Sequence, residues 1–328
     1  MNQFKAKFIK KSDQMKKTLV SILILLLLSI TLLSGCTQVP HENTWGIYAL
    51  NLETESITLL YSSPNQLQKV RLHPTDDTLV FSQLIGGESI EHEEICSIHL
   101  DGSNFTQLTD NAYMDVQPTW SPDGTEIAFV SWRDDDLDIY IMNADGSNEE
   151  KLFDSGGHDA DIHWMQNTIV FTANSSIWKM NDDGSSPEKI TSPPRAGEWG
   201  QANLPFGDYD PRINHQGTLI AFERLENDTS PHGNYNIYCI DINGENETRL
   251  TNNGYAQGIV AWSHTDDKIA YVVSAIDDQG FYDLYMMNAD GSNNRNINPD
   301  YFPEGFLCFP PEFSRDDTTL YFIGQWWE

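Results

Sequence analysis

Carboxylate side chains recur at matching places in three successive segments of this sequence. Two aspartates stand two residues apart in DADIHW and again in DYDPRI, and an aspartate with a glutamine takes the same spacing in DVQPTW. Alternation along a strand places the members of such a pair on one face. Crowded carboxylates repel one another unless a cation neutralises them, and hard oxygen ligands suit Ca²⁺ or Mg²⁺. The candidate ligand or cation residues are Asp115, Asp159, Asp161, Asp208, Asp210 and Gln257.

Two histidines flank one of these pairs and offer an alternative chemistry. His158 and His163 could hold a transition metal, since imidazole suits such ions. The competing interpretation is a solvated acidic rim, because the whole chain is acidic, with 49 acidic and 19 basic residues and a formal charge of −30. This charge argues against a nucleic-acid partner. No cofactor is required by the sequence, although the paired carboxylates allow Ca²⁺ or another divalent cation.

Two insertions are longer than a connection between strands requires, at residues 192–206 and 225–235. Recognition residues concentrate on such loops. Their candidates are Arg195, Trp199, Phe206 and His232, which could frame a mouth over a channel. The alternative is that the aromatic side chains pack down as loop anchors.

A repeat of 44–51 residues positions all of these candidates. Each repeat has an anchor residue followed by a turn of the Ser-Pro-Asp-Gly type, a short apolar strand, and usually a third strand ending in a turn such as Asp-Gly-Ser-Asn. Pro fixes φ, Asp bonds its own backbone and Gly takes the positive φ of a tight turn, so we interpret these motifs as turns. The anchors are Leu72, Trp120, Trp164, Ile213, Trp262 and Phe313.

The sixth repeat ends after its second strand, and the missing pieces lie at the other end of the chain. Residues 45–51 have the pattern of a third strand and residues 56–60 that of a fourth. Closing a ring in this way removes exposed sheet edges. The sequence therefore predicts an all-β, six-bladed β-propeller over residues 45–328, with four-stranded antiparallel blades and a last blade closed by N-terminal strands.

The order of the repeated motifs resembles that in the propeller of TolB and related periplasmic proteins. The motifs are WSPDG, IAF, DIYIMNADGS and a closing apolar-Thr pair. The resemblance covers essentially everything after residue 44 and implies the same six-bladed fold. We expect no helical domain before the propeller, so a Tol–Pal role is not implied.

The first 35 residues have the features of a lipoprotein-type signal peptide. Six lysines precede an apolar run, which ends in Leu33-Ser34-Gly35-Cys36 and resembles a lipobox. We predict lipidation of Cys36 and a tether over residues 36–44, with Met15 as an alternative start. An uncleaved single-span anchor is the alternative. Both interpretations place the body outside the cytoplasmic membrane, in the periplasm or at the cell surface.

The motifs GxSxG, HExxH, GxGxxG and the Walker loop do not occur in the sequence. The leading hypothesis is a monomeric, non-enzymatic, lipid-anchored binding or scaffold protein that captures a protein, peptide or saccharide at the channel mouth. The alternative is a metal-dependent polysaccharide lyase or hydrolase of propeller fold, with its metal held by His158, Asp159, Asp161 and His163.

Overall fold

The computed structural model describes residues 44–86, 92–133, 135–196, 206–227, 234–274, 282–302 and 305–326. Contacts divide the chain into Met1–Val39 and Pro40–Glu328, and every described residue belongs to the second unit. Within these ranges the chain forms twenty-four strands and no α-helix. The strands make six antiparallel sheets of four, which confirms the predicted propeller.

Each sheet is one blade, and the first strand of each blade is called its inner strand. Consecutive inner strands contact one another around a closed ring, so they line the central channel. Blade 1 contains β3 (Leu67–Leu72), β4 (Thr78–Leu84), β5 (Glu93–His99) and β6 (Thr106–Gln107); blade 2 contains β7 (Met114–Trp120), β8 (Glu126–Trp132), β9 (Leu137–Asn143) and β10 (Glu150–Phe153); blade 3 contains β11 (Asp159–Met165), β12 (Thr168–Ala173), β13 (Ser176–Asn181) and β14 (Glu188–Lys189).

The remaining blades repeat this order, except that the last one takes two strands from the N-terminal part of the chain. Blade 4 contains β15 (Gly207–Ile213), β16 (Leu219–Asn227), β17 (Asn234–Asp241) and β18 (Thr248–Arg249); blade 5 contains β19 (Ala256–Trp262), β20 (Lys268–Ser274), β21 (Tyr282–Asn288) and β22 (Arg295–Asn296); blade 6 contains β23 (Phe306–Phe313), β24 (Thr319–Trp326), β1 (Trp45–Asn51) and β2 (Ile57–Ser63).

Blade 6 joins the two ends of the described chain. Strand β1 pairs with β24 in an unbroken antiparallel register from Trp45 opposite Gln325 to Asn51 opposite Thr319. Tyr48 packs in this blade against Phe322 at 5.6 Å and edge-on to Phe306 at 5.5 Å between ring centroids. The predicted closure by N-terminal strands is therefore confirmed.

The apolar core is divided among the interfaces between blades. The described residues contain six buried hydrophobic clusters, one at each interface from blades 1 and 2 round to blades 6 and 1. A blade has apolar residues on both faces, so it buries them only with a neighbour on each side. Blades 1 and 4 consequently lie opposite each other across the channel.

The repeated turns are explained by local hydrogen bonding. In the first type, Asp123 Oδ1 accepts bonds from the Ser121 hydroxyl and the Thr125 amide. Gly124 has φ of +75°, and a Cβ there would lie 2.2 Å from Nε2 of His73 in blade 1. In the second type, Asp145 Oδ1 accepts from the amide and hydroxyl of Ser147. These contacts confirm that both motifs serve as turns.

Every inner strand carries a β-bulge near its middle. In five blades one residue of the bulge has positive φ, at values of 49–55°. These left-handed residues are Lys69, Gln117, Asp161, Asp210 and Ile259. A bulge breaks the alternation of side chains along a strand. This irregularity determines which of the predicted site residues meet.

Candidate functional site

The bulges separate the members of each predicted aspartate pair. We call the channel end where the inner strands begin the start mouth, and the end where they reach the Ser-Pro-Asp-Gly-type turns the turn mouth. The expectation that each pair shares one face is wrong, because a left-handed residue interrupts the strand at the second member of the pair. About five carboxylates therefore do not converge, and the pairs divide into two groups with different partners.

The first group begins the inner strands and is bonded within its own blade. Asp115 accepts hydrogen bonds from Asn111, Ser131 and Arg133. Asp208 accepts two bonds from Arg224, at 2.5 Å from Nε and 2.9 Å from Nη2. These two buried side chains hold the start of the inner strands of blades 2 and 4.

Asp159 and Gln257 occupy the matching positions in blades 3 and 5. Asp159 Oδ2 accepts from the Ser155 amide at 2.8 Å, and Gln257 Nε2 donates to Asn253 at 2.6 Å. In both cases the partner lies four residues earlier, so the bond closes the loop that enters the inner strand. We assign this position a structural role.

A buried carboxylate with few partners gives Asp159 a testable effect on stability. Burial, with smaller contributions from Asp138 and Asp154, raises the pKa of Asp159 to about 6. Because this value lies above the pKa of an unfolded aspartate, the native state gains stability as pH falls from about 6 towards 4. We expect Asp159→Asn to raise the free energy of unfolding at pH 8 on the order of 1–2 kcal/mol, with the gain disappearing below pH 5.

Urea unfolding at several pH values measures this difference. Asp101→Asn is the matched control: hydrogen bonds from Ser103 lower the pKa of this exposed turn aspartate, so its replacement should destabilise the protein above pH 4. An Asp159→Asn variant that is less stable than the wild type at pH 8 contradicts the prediction.

The second group meets in the middle of the channel around one lysine. Lys69 of blade 1 is in contact with Asp210 of blade 4 and lies 3.6 Å from Asp161 Oδ1 of blade 3, measured from Nζ. Gln117 of blade 2 donates to Asp161 Oδ1 at 3.0 Å and accepts from the Asp161 amide at 2.6 Å. We call Lys69, Gln117, Asp161 and Asp210 the channel layer.

The charges of this layer also act on Glu223, a half-buried carboxyl group of blade 4. Burial, followed by the negative charges of Asp210 and Asp161, raises the pKa of Glu223 well above its usual value. Burial and the nearby Asp210 also raise the pKa of Asp161. Although burial acts in the same direction on Asp210, the charges of Lys69 and Arg212 lower its pKa below the usual value. The Lys69–Asp210 ion pair is therefore the dominant charged contact across the channel.

A cavity of about 270 Å³ lies at the turn mouth, two residues further along the inner strands than the channel layer. All six blades contribute to its wall, and its deep ring comes from one position in each inner strand. That ring comprises Arg71, Thr119, His163, Arg212, Ala261 and Glu312. Half-buried side chains form the rim, namely His73, Pro74, His215 and His264.

The repeat anchors fix the two arginines of this ring. Trp120 Nε1 donates to the Arg71 carbonyl at 3.3 Å, and Trp262 Nε1 donates to the Arg212 carbonyl at 3.0 Å. In each case the indole belongs to the following blade. The anchor tryptophans thus join neighbouring blades and hold the backbone of the cavity wall.

The histidine candidates do not assemble a metal site. His158 precedes β11 and its Nδ1 accepts from the Leu137 amide, whereas His163 lies near the other end of that strand and its Nδ1 accepts from the Ile213 amide. Burial and the charges of Arg212 and Arg71 lower the pKa of His163 well below its usual value. Across the part of the chain that the structure describes, no group of three or more His, Cys, Asp or Glu side chains could hold a metal ion.

The structure describes two of the four loop candidates, Arg195 and Phe206. Arg195 lies over the ring of Phe206, with Cζ 3.3 Å from the centroid. Trp199, His232 and the lipidation candidate Cys36 lie outside the described residues. In the described ranges no helix is long and apolar enough to span a membrane. The roles of these four loop residues and of Cys36 stay predictions.

Sequence reasoning missed Lys69, Arg71 and Arg212. Basic residues are scarce in this chain, with 19 against 49 acidic ones. Three of them nevertheless fall at channel-lining positions one or three residues before an anchor. Aligning these basic residues with the repeat would have identified them as channel-lining candidates.

Comparison with known proteins agrees with this architecture. The family model described as the TolB beta propeller domain matches residues 40–192. The chain is a six-bladed β-propeller similar to the TolB propeller. A solved structure assigned as TolB from Agrobacterium tumefaciens superposes with a TM-score of 0.67 at 16% identity, covering 85% of this chain and 97% of the other.

Two curated relatives match part of this TolB-like propeller. An uncharacterized protein of Agrobacterium fabrum is 28% identical over 165 residues, which cover 47% of this chain and 53% of the relative. A TolB homolog of Chlorobium luteolum is 27% identical over 162 residues, which cover 48% and 33%. The chain thus spans about half or less of the length of these relatives.

Proposed function

We propose that this TolB-like propeller is a non-enzymatic, lipid-anchored extracytoplasmic binding or scaffold protein. Its ligand, a protein, peptide or saccharide, docks in the cavity at the turn mouth. The observation that carries the proposal is the cavity itself: about 270 Å³, lined by all six blades and rimmed by half-buried side chains. Concave sites with a few convergent polar groups are the usual form of ligand pockets.

The rim is held in place before any ligand arrives. Asp266 of blade 5 accepts bonds from the amides of His215 and Gln216 in blade 4. Asp317 of blade 6 likewise accepts from the His264 amide in blade 5 at 2.7 Å. These bonds between neighbouring blades restrain the mouth, and a restrained site loses less conformational freedom on binding.

Sequence features support the location. The charged and apolar segments before Cys36 favour export and lipidation. The TolB-like fold supports a binding or scaffold role. For the alternative, a metal-dependent polysaccharide lyase or hydrolase, the described residues supply no specific support. Of its candidate ligands, His158 precedes β11 and His163 lies near the other end of that strand.

The proposal is tested by obstructing the turn mouth. His215→Trp places a large ring at the rim, and His99→Trp makes the same change on β5, outside the cavity lining. We expect wild type and His99→Trp to bind the same members of an array of peptides and glycans, and His215→Trp to bind them at least tenfold more weakly. Binding that His215→Trp leaves unchanged places the ligand site elsewhere and overturns the proposal.

A further inference from the structure

The turn-mouth cavity contains two buried arginines whose hydrogen-bonding capacity is mostly unused. A guanidinium has five N–H donors. Among the described residues, Arg71 and Arg212 each donate one hydrogen bond, from Nη1 to the carbonyl of the preceding residue at 2.8 and 2.7 Å. The Nε atoms of both are buried and have no partner in the described chain. Their side chains are only 5% and 4% exposed.

The carboxylates near Arg71 and Arg212 do not satisfy the remaining N–H donors of these arginines. Arg71 Nη1 lies 3.5 Å from Glu312 Oε2, and Arg212 Nη2 lies 3.8 Å from Asp210 Oδ1. Both separations exceed the usual length of a charge-assisted hydrogen bond, about 2.7–2.9 Å. Asp210 is moreover engaged by Lys69. The two guanidinium groups are therefore attracted to carboxylates without being bonded to them.

Arg224 shows what a structural arginine looks like in this protein. It donates four hydrogen bonds at 2.5–2.9 Å, two to Asp208 and two to Glu247. Arg71 and Arg212 are as deeply buried as Arg224 but lack such partners. Buried polar groups are normally bonded, and a buried charge without bonds is costly. The difference indicates that the missing partner enters from outside the chain.

The electrostatics of the cavity wall favour a negative ligand. Burial and the nearby charge of Arg212 lower the pKa of Arg71 to about 10, so Arg71 stays charged at neutral pH. Among the described residues of the lining, Glu312 is the one acidic side chain. His163 is neutral and uses Nδ1 as an acceptor, which leaves Nε2 as a further N–H donor. A cationic lining is notable in a chain of net charge −30.

We propose that the turn-mouth cavity is a carboxylate-binding site in which Arg71 and Arg212 bind the ligand's anionic group. This inference rests on the proposed function and specifies the ligand's chemistry. One carboxylate placed between the two guanidinium groups accepts hydrogen bonds from both and relieves their mutual repulsion. The tryptophans of the lining, Trp120, Trp164 and Trp262, supply apolar wall for the part of the ligand that carries the carboxylate.

A matched pair of small probes tests the charge requirement on the wild-type protein. N-acetylphenylalanine presents a carboxylate, and N-acetylphenylalaninamide has nearly the same shape without the charge. In calorimetric titration at low salt and pH 7.5, we expect the acid to bind at least tenfold more tightly than the amide. Equal binding of the two probes, or binding of neither, overturns the proposal.

Probes from other sources then distinguish the origin of the carboxylate. Glucuronate binding above the level of N-acetylphenylalanine points to an acidic saccharide, and the reverse order points to a peptide end. Inorganic phosphate that binds more tightly than both contradicts a carboxylate site. Each ranking is measured on the same preparation of the full chain.

Substitution of the arginines locates the binding. Arg71→Gln and Arg212→Gln should each weaken binding of the acid at least tenfold, while Arg295→Gln, at an exposed residue on β22, should leave it unchanged. Circular dichroism confirms that each variant is folded. If His215→Trp blocks array ligands while both arginine variants retain them, the carboxylate inference fails and the proposed function stands.

Discussion

Replacing Lys69 by methionine is expected to lower the free energy of unfolding by about 3–5 kcal/mol at pH 8. Lys69 is 9% exposed and contacts Asp210 from the opposite side of the channel, with Asp161 3.6 Å away. Methionine keeps most of the side-chain volume but removes the positive charge. Two buried aspartates would then share the channel with no nearby lysine, and their repulsion would oppose the closed ring.

The effect should depend on pH in a defined direction. Without Lys69, the pKa of Asp161, which is already raised in the native state, rises further, and the pKa of Asp210 rises above its value in the unfolded chain. Such groups bind protons on folding, so the variant recovers stability as pH falls and loses it as pH rises. Urea unfolding at pH 8 and pH 5 should therefore show a much smaller deficit at pH 5.

Two further variants make the experiment specific. Lys69→Met with Asp210→Asn removes both charges of the pair and should regain most of the stability at pH 8. Lys268→Met removes a surface lysine that pairs with exposed Asp267, and it should cost at most about 1 kcal/mol. A Lys69→Met protein as stable as wild type at pH 8 contradicts a dominant ion pair in the channel.

Deleting residues 45–63 is expected to abolish cooperative folding. This segment forms β1 and β2, so its loss leaves β24 as an open edge and removes Ile47, Tyr48 and Leu50 from two interface cores. Blades 5, 6 and 1 would then expose apolar faces, and unpaired edges promote aggregation. We expect soluble aggregates or insoluble protein in size-exclusion chromatography, and no single thermal transition.

A circular permutant separates closure from simple truncation. Attaching residues 45–63 after residue 326 through a short Gly-Ser linker restores the same β1–β24 pairing with the opposite chain order, and it should recover a monomeric, cooperative protein. As a point test, Tyr48→Ala should destabilise by about 3–5 kcal/mol, whereas Tyr113→Ala, at a site 46% exposed, should change little. A truncated chain that melts like the wild type would show that blade 6 does not need these strands.

The fold was predictable because its determinants are local and repeated. The turns at Asp123-Gly124 and Asp145-Gly146 depend on φ and on hydrogen bonds within a few residues. The spacing of the anchor residues then indicates six successive repeats. Closure by residues 45–51 followed from a repeat that lacked two strands. In these cases the physical cause and the sequence pattern occupy the same short stretch.

The site was only half predictable, because its contacts cross the ring. The sequence identified Asp161 and Asp210 as candidates. It did not reveal the left-handed bulge that breaks the alternation of side chains, because residues as different as aspartate and Ile259 adopt this conformation. The partner of Asp210 is Lys69, 141 positions away in sequence and three blades distant. Such pairing depends on the distance across the closed ring, and the repeat period of the sequence does not specify that distance.

The channel layer also limits how any ligand can be held. Lys69 and Asp210 meet from opposite blades, so the passage between the two mouths is obstructed at mid-depth by a salt bridge. Under the proposed function, a polymer that enters at the turn mouth does not thread through the ring. We infer that the cavity would receive the end of a chain or a projecting side group, so the ligand would be recognised by a terminus or a branch.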